Sequence, residues 1–132
     1  MSFSNNNYNP KAYLAEGGAI GAALFVVPGT AANQAKLPTG ADVMPIGITY
    51  WEVTAAGQTL EVLEDGVCDL LVNAAGTAIA VGDPIAVHGV TGRGKKAALA
   101  NTQFVAAVAR EAATTDGARI SVRIDRAYMP AS

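Results

Sequence analysis

The chain has 132 residues, a formal net charge of −2, and 51% hydrophobic but only 6% aromatic residues. This length supplies the core of one domain. A slightly acidic charge balance lacks the basic surface that binds nucleic acid or anionic lipid, so we expect neither a nucleic-acid partner nor a membrane partner.

Residues 1–12 differ in composition from the rest of the chain. They are rich in Asn and Ser, contain Phe3 and Tyr8, and close with Asn9-Pro10. Such a segment cannot bury itself, so it is either a disordered tail or an arm that orders against a neighbouring subunit. The sequence thus predicts a flexible N-terminal arm over 1–12 and a single β-domain over 13–132.

The N-terminus has no basic region followed by an apolar region, so it does not resemble a signal peptide. The longest apolar stretch, 19–28, is shorter than the ~20 residues that cross a bilayer. We expect synthesis in a cytoplasm.

Short apolar runs broken by Gly, Pro and Asp-Gly turns predict β-strands and an all-β fold, a small sandwich or barrel. The alternation is clearest over 119–125, where Ile120, Val122 and Ile124 should face the core. Short helical turns are expected at most at 41–45 and 94–103. The predicted strands are 24–27, 44–50, 59–63, 67–72, 84–87, 104–109 and 119–125.

The two halves of the chain show a weak sequence similarity, here called the sequence echo, in an alignment without gaps. The run 24–29 aligns with 84–89, and in the same alignment 54–57 falls on 114–117. The chain therefore contains either a duplication, with halves at about 15–66 and 75–126, or two β-meanders that share turn chemistry.

One stretch resembles a catalytic motif. Residues 89–96 match the phosphate-binding pattern G-x-x-x-x-G-K-[ST] except at the last position, where Lys96 replaces the hydroxyl that holds Mg²⁺. The favoured interpretation is a Gly-rich hairpin loop whose basic tip is solvated or touches an acidic partner surface.

No other constellation predicts catalysis, a metal site or a cofactor. His88 has no Cys, His or carboxylate at ligand spacing, and no Ser lies in a nucleophile elbow. Cys68 lies in an apolar run and is expected to be a buried, unreactive thiol. The acids Glu61, Glu64, Asp65 and Asp69 are expected to surround a solvated hairpin tip.

Tyr50 and the single tryptophan, Trp51, are adjacent at the end of the predicted strand 44–50. Neighbouring strand residues point to opposite faces, so at least one of the two should be exposed or at an interface. The candidate interface residues are Phe3, Tyr8, Tyr13, Tyr50 and Trp51.

The order of elements carries a family resemblance. A strand ending at Gly29, the run Pro45-Ile46-Gly47-Ile48, the run 78–85 with its Gly-Asp-Pro turn, and 113–124 with its Asp-Gly turn follow in sequence. Over about residues 17–126 this order resembles the capsid cement, or head-decoration, proteins of tailed phages.

The resemblance implies a compact, β-tulip-like domain that is a structural protein and not an enzyme. Its partners would be the major capsid protein and itself, as a homotrimer on the outer surface of the expanded head. Two alternatives remain open: a tail-fibre or baseplate component, and a small β-barrel ligand-binding domain with a cleft at Asp83, His88 and Arg93.

Overall fold

The computed structural model of the chain describes residues 10–41, 43–98 and 103–129. Within these ranges the chain forms strands and turns and no helix, which confirms the predicted all-β class. No described helix is therefore long and apolar enough to cross a membrane. The strands are β1 (Lys11–Ala15), β2 (Phe25–Pro28), β3 (Gln34–Lys36), β4 (Gly47–Thr49), β5 (Thr59–Leu63), β6 (Val67–Asn73), β7 (Pro84–Val87), β8 (Gly94–Lys96), β9 (Gln103–Ala109) and β10 (Asp116–Met129).

The ten strands form two small closed barrels with the same connectivity. Barrel 1 has the strand order β1-β3-β2-β4-β5, and barrel 2 has the order β6-β8-β7-β9-β10. In each, the first and third strands pair in parallel, whereas the other pairs are antiparallel.

The hydrogen-bonded register matches positions between the barrels. Ile48 faces Leu63 as Val108 faces Arg123, so β4 and β5 match β9 and β10 in the alignment that the sequence echo predicts. Phe25 faces Ile48 as Pro84 faces Val108, so β2 matches β7 with a shift of one position from that alignment.

The first strands of the two barrels depart further from the gap-free alignment of the two halves. Lys11 faces Val62 as Cys68 faces Val122, so β1 matches β6 with a shift of three positions from the gap-free alignment. The gap-free alignment therefore applies only to the last two strands of each barrel. That the barrels arose by duplication stays a prediction.

The largest core cluster spans both barrels. Phe25, Ile48 and Leu63 from barrel 1 pack with Leu70 and Ile85 from barrel 2. The next residue on β2, Val26, points instead into the separate core of barrel 1. Because successive strand side chains alternate in direction, β2 contributes to both cores, and this explains why it is apolar on both faces.

Backbone hydrogen bonds also join the barrels. The N–H of Leu71 on β6 donates to the carbonyl of Ala23 at 2.8 Å, and the N–H of Phe25 donates to the carbonyl of Gly92 at 2.7 Å. The segment 23–25 of barrel 1 thus bonds on both sides to barrel 2.

In barrel 1 the groups that correspond to the Leu71 N–H and the Gly92 carbonyl are bonded to each other. The N–H of Leu14 donates to the carbonyl of Asn33 at 2.7 Å. The register places Leu14 where barrel 2 has Leu71, and Asn33 where it has Gly92. In barrel 2 the corresponding N–H and carbonyl groups bond instead to Ala23 and Phe25 of barrel 1.

Three strands were not among the predicted ones: β1, β3 and β8. β1 begins at Lys11, so the last residues of the predicted arm pair within barrel 1, and residues 1–9 lie outside the described residues. The helical turn expected over 94–103 is wrong for Gly94–Lys96, which pairs with β7. Residues 99–102 and 42, in the two expected turns, lie outside the described ranges.

Candidate functional site

An aromatic corner follows β4 on the surface of barrel 1. We define the aromatic corner as Tyr50 and Trp51, whose rings meet edge to face with centroids 4.8 Å apart. Tyr50 is 37% exposed and Trp51 is 59% exposed. Both sequence-predicted residues therefore present apolar surface to solvent.

Glu61 on β5 fixes this corner. Its backbone carbonyl accepts the N–H of Tyr50 at 2.8 Å, and its carboxylate accepts the indole N–H of Trp51 at 3.1 Å. Glu61 lies between the buried Leu60 and Val62, so it points outward from the barrel. The sequence predicted that Glu61 belongs to a solvated acidic tip. The alternation of Glu61 with the apolar Leu60 and Val62 is the sequence signal that indicates an outward-facing side chain on a strand.

Barrel 2 has no aromatic residues at the matching corner. There the N–H of Arg110 donates to the carbonyl of Ser121 at 2.9 Å, the same backbone bond that Tyr50 makes in barrel 1. The next residue, Glu111, is exposed and accepts the N–H of Ser121 at 2.6 Å. Barrel 2 thus forms the same backbone bond with charged residues at the corner, so that bond does not require Tyr50 and Trp51.

The other predicted interface residues lie elsewhere. Tyr13 is half-buried on β1, packs against the core of barrel 1, and donates its hydroxyl hydrogen to the Glu64 carboxylate. Phe3 and Tyr8 lie outside the described residues. On the outer face of β1, Ala12 stands opposite Glu61, and Leu14 is 45% exposed.

The acids near residue 65 do not act as a pair. Glu61 and Glu64 hold aromatic side chains, while Asp69 accepts from Arg119 at 3.1 Å. The turn at Asp65 connects β5 to β6, and these strands belong to different barrels. The expected hairpin tip is therefore a link between barrels.

The residues of the alternative ligand cleft each have a different partner. The Asp83 carboxylate lies 3.6 Å from the Lys96 ammonium, and Arg93 donates to Asp116 at 2.6 Å. His88 Nε2 lies 3.3 Å from the side-chain amide of Asn73. Of the three cleft residues, His88 lines a pocket of about 260 Å³ on barrel 2, together with Asn73, Ala75, Thr77, Lys95 and Lys96.

Cys68 is buried on β6. Burial raises the pKa of the Cys68 thiol to about 12, with a smaller contribution from the adjacent Asp69 carboxylate. The thiolate is the reactive form of cysteine, so this thiol is inert near neutral pH. In the described part of the chain, no group of three or more His, Cys, Asp or Glu residues is placed to hold a metal ion.

The sequence model of the phage cement protein family matches residues 10–124. The chain belongs to the phage cement protein family. This match covers both barrels, and it gives the chain a structural role in the phage capsid and a location in the virion.

A solved structure, the head fiber gp8.5 N base of bacteriophage phi29, has the same fold. It superposes with a TM-score of 0.66 at 14% sequence identity, covering 91% of this chain and 96% of that chain. At this identity the likeness concerns the fold alone. No curated protein matches the sequence significantly.

Proposed function

We propose that this cement protein attaches to the outside of the expanded phage head and bridges neighbouring major capsid proteins. The observation that carries the proposal is the match to the phage cement family over residues 10–124. The chain would be made in the host cytoplasm and would bind after the shell has expanded.

Cementing requires affinity for the expanded capsid lattice and no catalysed reaction. A protein that binds only the expanded lattice stabilises that lattice by mass action. Many copies on one shell act together, so each contact can be weak. An inert thiol and scattered acidic side chains are compatible with such a binding role.

The aromatic corner is our candidate for the contact with a neighbouring subunit. Tyrosine and tryptophan are enriched among residues that dominate binding energy at interfaces. Tyr50 and Trp51 are exposed at positions where barrel 2 has charged residues. This difference supports a role in binding another molecule, not in folding. The neighbour would be a second copy within a homotrimer or the capsid lattice itself.

Phe3 and Tyr8 would extend this contact. In our proposal the N-terminal arm reaches across to a neighbouring copy or down to the shell. Removal of residues 2–9 leaves β1 intact, because that strand begins at Lys11. Unchanged capsid binding after this deletion would count against the arm.

The decisive experiment adds purified protein to expanded, undecorated heads and to unexpanded procapsids of the cognate phage. Light scattering of the free protein gives its oligomeric state. Saturable binding to expanded heads alone, with a rise in their melting temperature, supports cementing and gives the number of copies. Absence of binding to both particles contradicts it and directs the search to tail fibres and baseplates.

The phi29 structure favours a second candidate, that the chain is the base of a head fibre. Electron microscopy of decorated heads separates the two roles. A fibre projecting from the bound domain indicates a base, whereas density bridging adjacent capsid subunits without a projection indicates cement.

A further inference from the structure

A groove lies at the junction of the two barrels, beside the aromatic corner. We define the junction groove as the cavity of about 200 Å³ whose lining includes Tyr50 and Leu63 of barrel 1 and Cys68, Asp69, Arg119 and Ser121 of barrel 2. Tyr50 belongs to the aromatic corner. That corner therefore stands on the barrel 1 side of the groove.

The barrel 2 side of the groove adjoins the corner that matches the aromatic corner in the fold. We define the charged corner as Arg110 and Glu111. The backbone carbonyl of Ser121 accepts the N–H of Arg110 at 2.9 Å, and the Ser121 N–H donates to the Glu111 carboxylate at 2.6 Å. Because Ser121 lines the groove, the two corners lie on opposite sides of one groove.

The two halves of the chain that form these sides have opposite net charges. Residues 1–65 contain two basic and six acidic side chains, which gives a formal charge of −4. Residues 66–132 contain seven basic and five acidic side chains, which gives +2. Two copies of the chain therefore attract each other most strongly where barrel 1 of one copy faces barrel 2 of the other.

Each side of the groove also carries an exposed charge outside the ion pairs of the chain. Within the groove itself Arg119 already pairs with Asp69, at 3.1 Å. Arg110 is exposed, and within the described residues its guanidinium forms no ion pair. In the same part of the chain this also holds for Glu52, the exposed residue that follows Trp51.

The aromatic corner has the chemistry that receives a guanidinium group. The Trp51 side chain is 59% exposed, and the face of an indole is the best aromatic site for a cation. Arginine stacks on such a face through its planar guanidinium. The Glu61 carboxylate, which accepts the indole N–H, adds negative charge beside the ring, and Glu52 follows Trp51 in the chain.

We propose that the aromatic corner of one copy receives Arg110 of a second copy, with the guanidinium against the Trp51 indole and beside the Glu52 carboxylate. The inference rests on the proposed function, because it names the neighbour of the aromatic corner. The occupant is a second copy because the chain itself supplies the complementary charge on the other side of the groove. In a homotrimer whose grooves face the three-fold axis, each aromatic corner lies against the charged corner of the next copy, and the ring closes.

Reversal of the two charges tests this contact in solution. Sedimentation of the full chain over a range of concentrations measures its self-association. Glu52→Arg and Arg110→Glu should each weaken association roughly tenfold or more, because each brings like charges together. The double variant, which has the net charge of the wild type, should restore association to within about threefold.

A second double variant controls for net charge. Glu52→Arg with Arg93→Glu has the same charges but moves the new acid to an arginine that pairs with Asp116, away from Ser121 along β10. Its association should stay as weak as that of Glu52→Arg alone. Thermal unfolding verifies that all of these variants fold. Failure of the first double variant to restore association, or equal restoration by both, overturns the proposal.

Cross-linking tests the same contact on the phage head. Glu52→Cys with Arg110→Cys, bound to expanded heads and treated with a short bis-maleimide, should give cross-linked dimers and trimers on a denaturing gel. Glu52→Cys with Arg93→Cys should give none. The native thiol does not interfere, because burial raises the pKa of Cys68 to about 12.

The outcomes separate this contact from the proposed function. A chain that is monomeric in solution and gives no cross-link between residues 52 and 110 on heads overturns the proposal and leaves the capsid lattice as the occupant of the aromatic corner. If the wild type does not attach to heads, the proposed function fails. Sedimentation of the charge-reversed variants then still decides whether two copies meet through Trp51 and Arg110, and a chain that stays monomeric contradicts it.

Discussion

Ala23 and Gly82 occupy the same position in the two barrels, and both have a backbone that L-residues rarely adopt. The N–H of Ala23 donates to the carbonyl of Thr49 at 2.9 Å, and the N–H of Gly82 donates to the carbonyl of Ala109 at 2.8 Å. Their φ angles are 62° and 90°. Glycine adopts this region at little cost, whereas alanine does not.

We expect Ala23→Gly to leave the free energy of unfolding within about 0.5 kcal/mol of the wild type. Relief of the left-handed backbone, about 1 kcal/mol, offsets the loss of a buried methyl, about 0.8 kcal/mol. The matched variant Ala35→Gly, in the buried interior of β3, lacks the offset and should lose about 1.5 kcal/mol. Urea denaturation compares them, and equal losses would contradict the role of the backbone.

Gly82→Ala should lose about 1 kcal/mol. The expected loss comes from the left-handed backbone and not from a steric clash, because an added Cβ at Gly82 meets no heavy atom within 4 Å. A melting temperature equal to that of the wild type would show that the loop relaxes around the new side chain.

Gly47→Ala should destabilise the chain by about 3 kcal/mol or more. An added Cβ would lie 2.2 Å from the Leu63 carbonyl oxygen and 2.7 Å from Val62 Cγ1, so β4 and β5 would have to separate. Gly40→Ala is the control, since a Cβ there meets nothing within 4 Å. Thermal unfolding of both variants decides, and a small loss for Gly47→Ala would refute the predicted close approach.

Glu16→Gln should lower the melting temperature at pH 7 and much less at pH 3. The pKa of Glu16 is below its ordinary value of 4.5 because Thr30 donates two hydrogen bonds and Lys36 lies nearby. The ionised carboxylate therefore contributes stability that is present above pH 4.5 and lost as the pH falls through the lower, folded-state pKa. Glu52→Gln, an exposed glutamate of barrel 1, controls for charge removal, and a pH-independent gap for Glu16→Gln would contradict this explanation.

Trp51→Ala should weaken attachment to expanded heads by about 2 kcal/mol, roughly 30-fold, with less than about 1 kcal/mol lost from folding stability. The indole is 59% exposed, so the core loses little. Val81→Ala, at a side chain 69% exposed on barrel 2, provides the matched control. Equal effects of both variants on attachment would remove the aromatic corner from the proposed interface.

Cys68 should react with a chromogenic disulfide reagent at pH 8 only as fast as the chain unfolds. Burial raises the pKa of its thiol to about 12, so the native protein holds almost no accessible thiolate. In concentrated urea the same thiol should react rapidly. Fast, stoichiometric reaction of the native protein would show that β6 opens locally.

The long strands were predictable because their burial follows a period of two. In β10 the buried Ile120, Val122 and Ile124 alternate with more exposed neighbours, and this pattern is visible in the sequence. β5 and β7 were predicted with the bounds that the structure has. Turn-forming Gly and Pro residues delimit both.

The short strands were not predictable from local pattern. β3 and β8 have three residues each, and β8 is Gly-Lys-Lys, which shows no apolar alternation. These strands exist because a parallel partner, β1 or β6, binds them from a distance in the sequence. Tertiary pairing outweighs local preference at such positions.

The candidate site was predictable in part. The aromatic pair stands out in a chain with few aromatics, but its fixation by Glu61 depends on a register between β4 and β5 that the sequence does not reveal. The match between the two barrels depends on strands whose alignment is shifted by different amounts, which a gap-free comparison of the two halves cannot find.

Closure of both sheets has a consequence for the proposed attachment to the phage head, where many copies would lie close together. Among the described strands, each has a hydrogen-bonded neighbour on both sides, so none offers a free edge to another copy. Exposed edges are the usual route by which crowded β-proteins polymerise without limit. In that proposal, copies lying side by side would recognise their neighbours through side chains, and such contacts would end where the lattice ends.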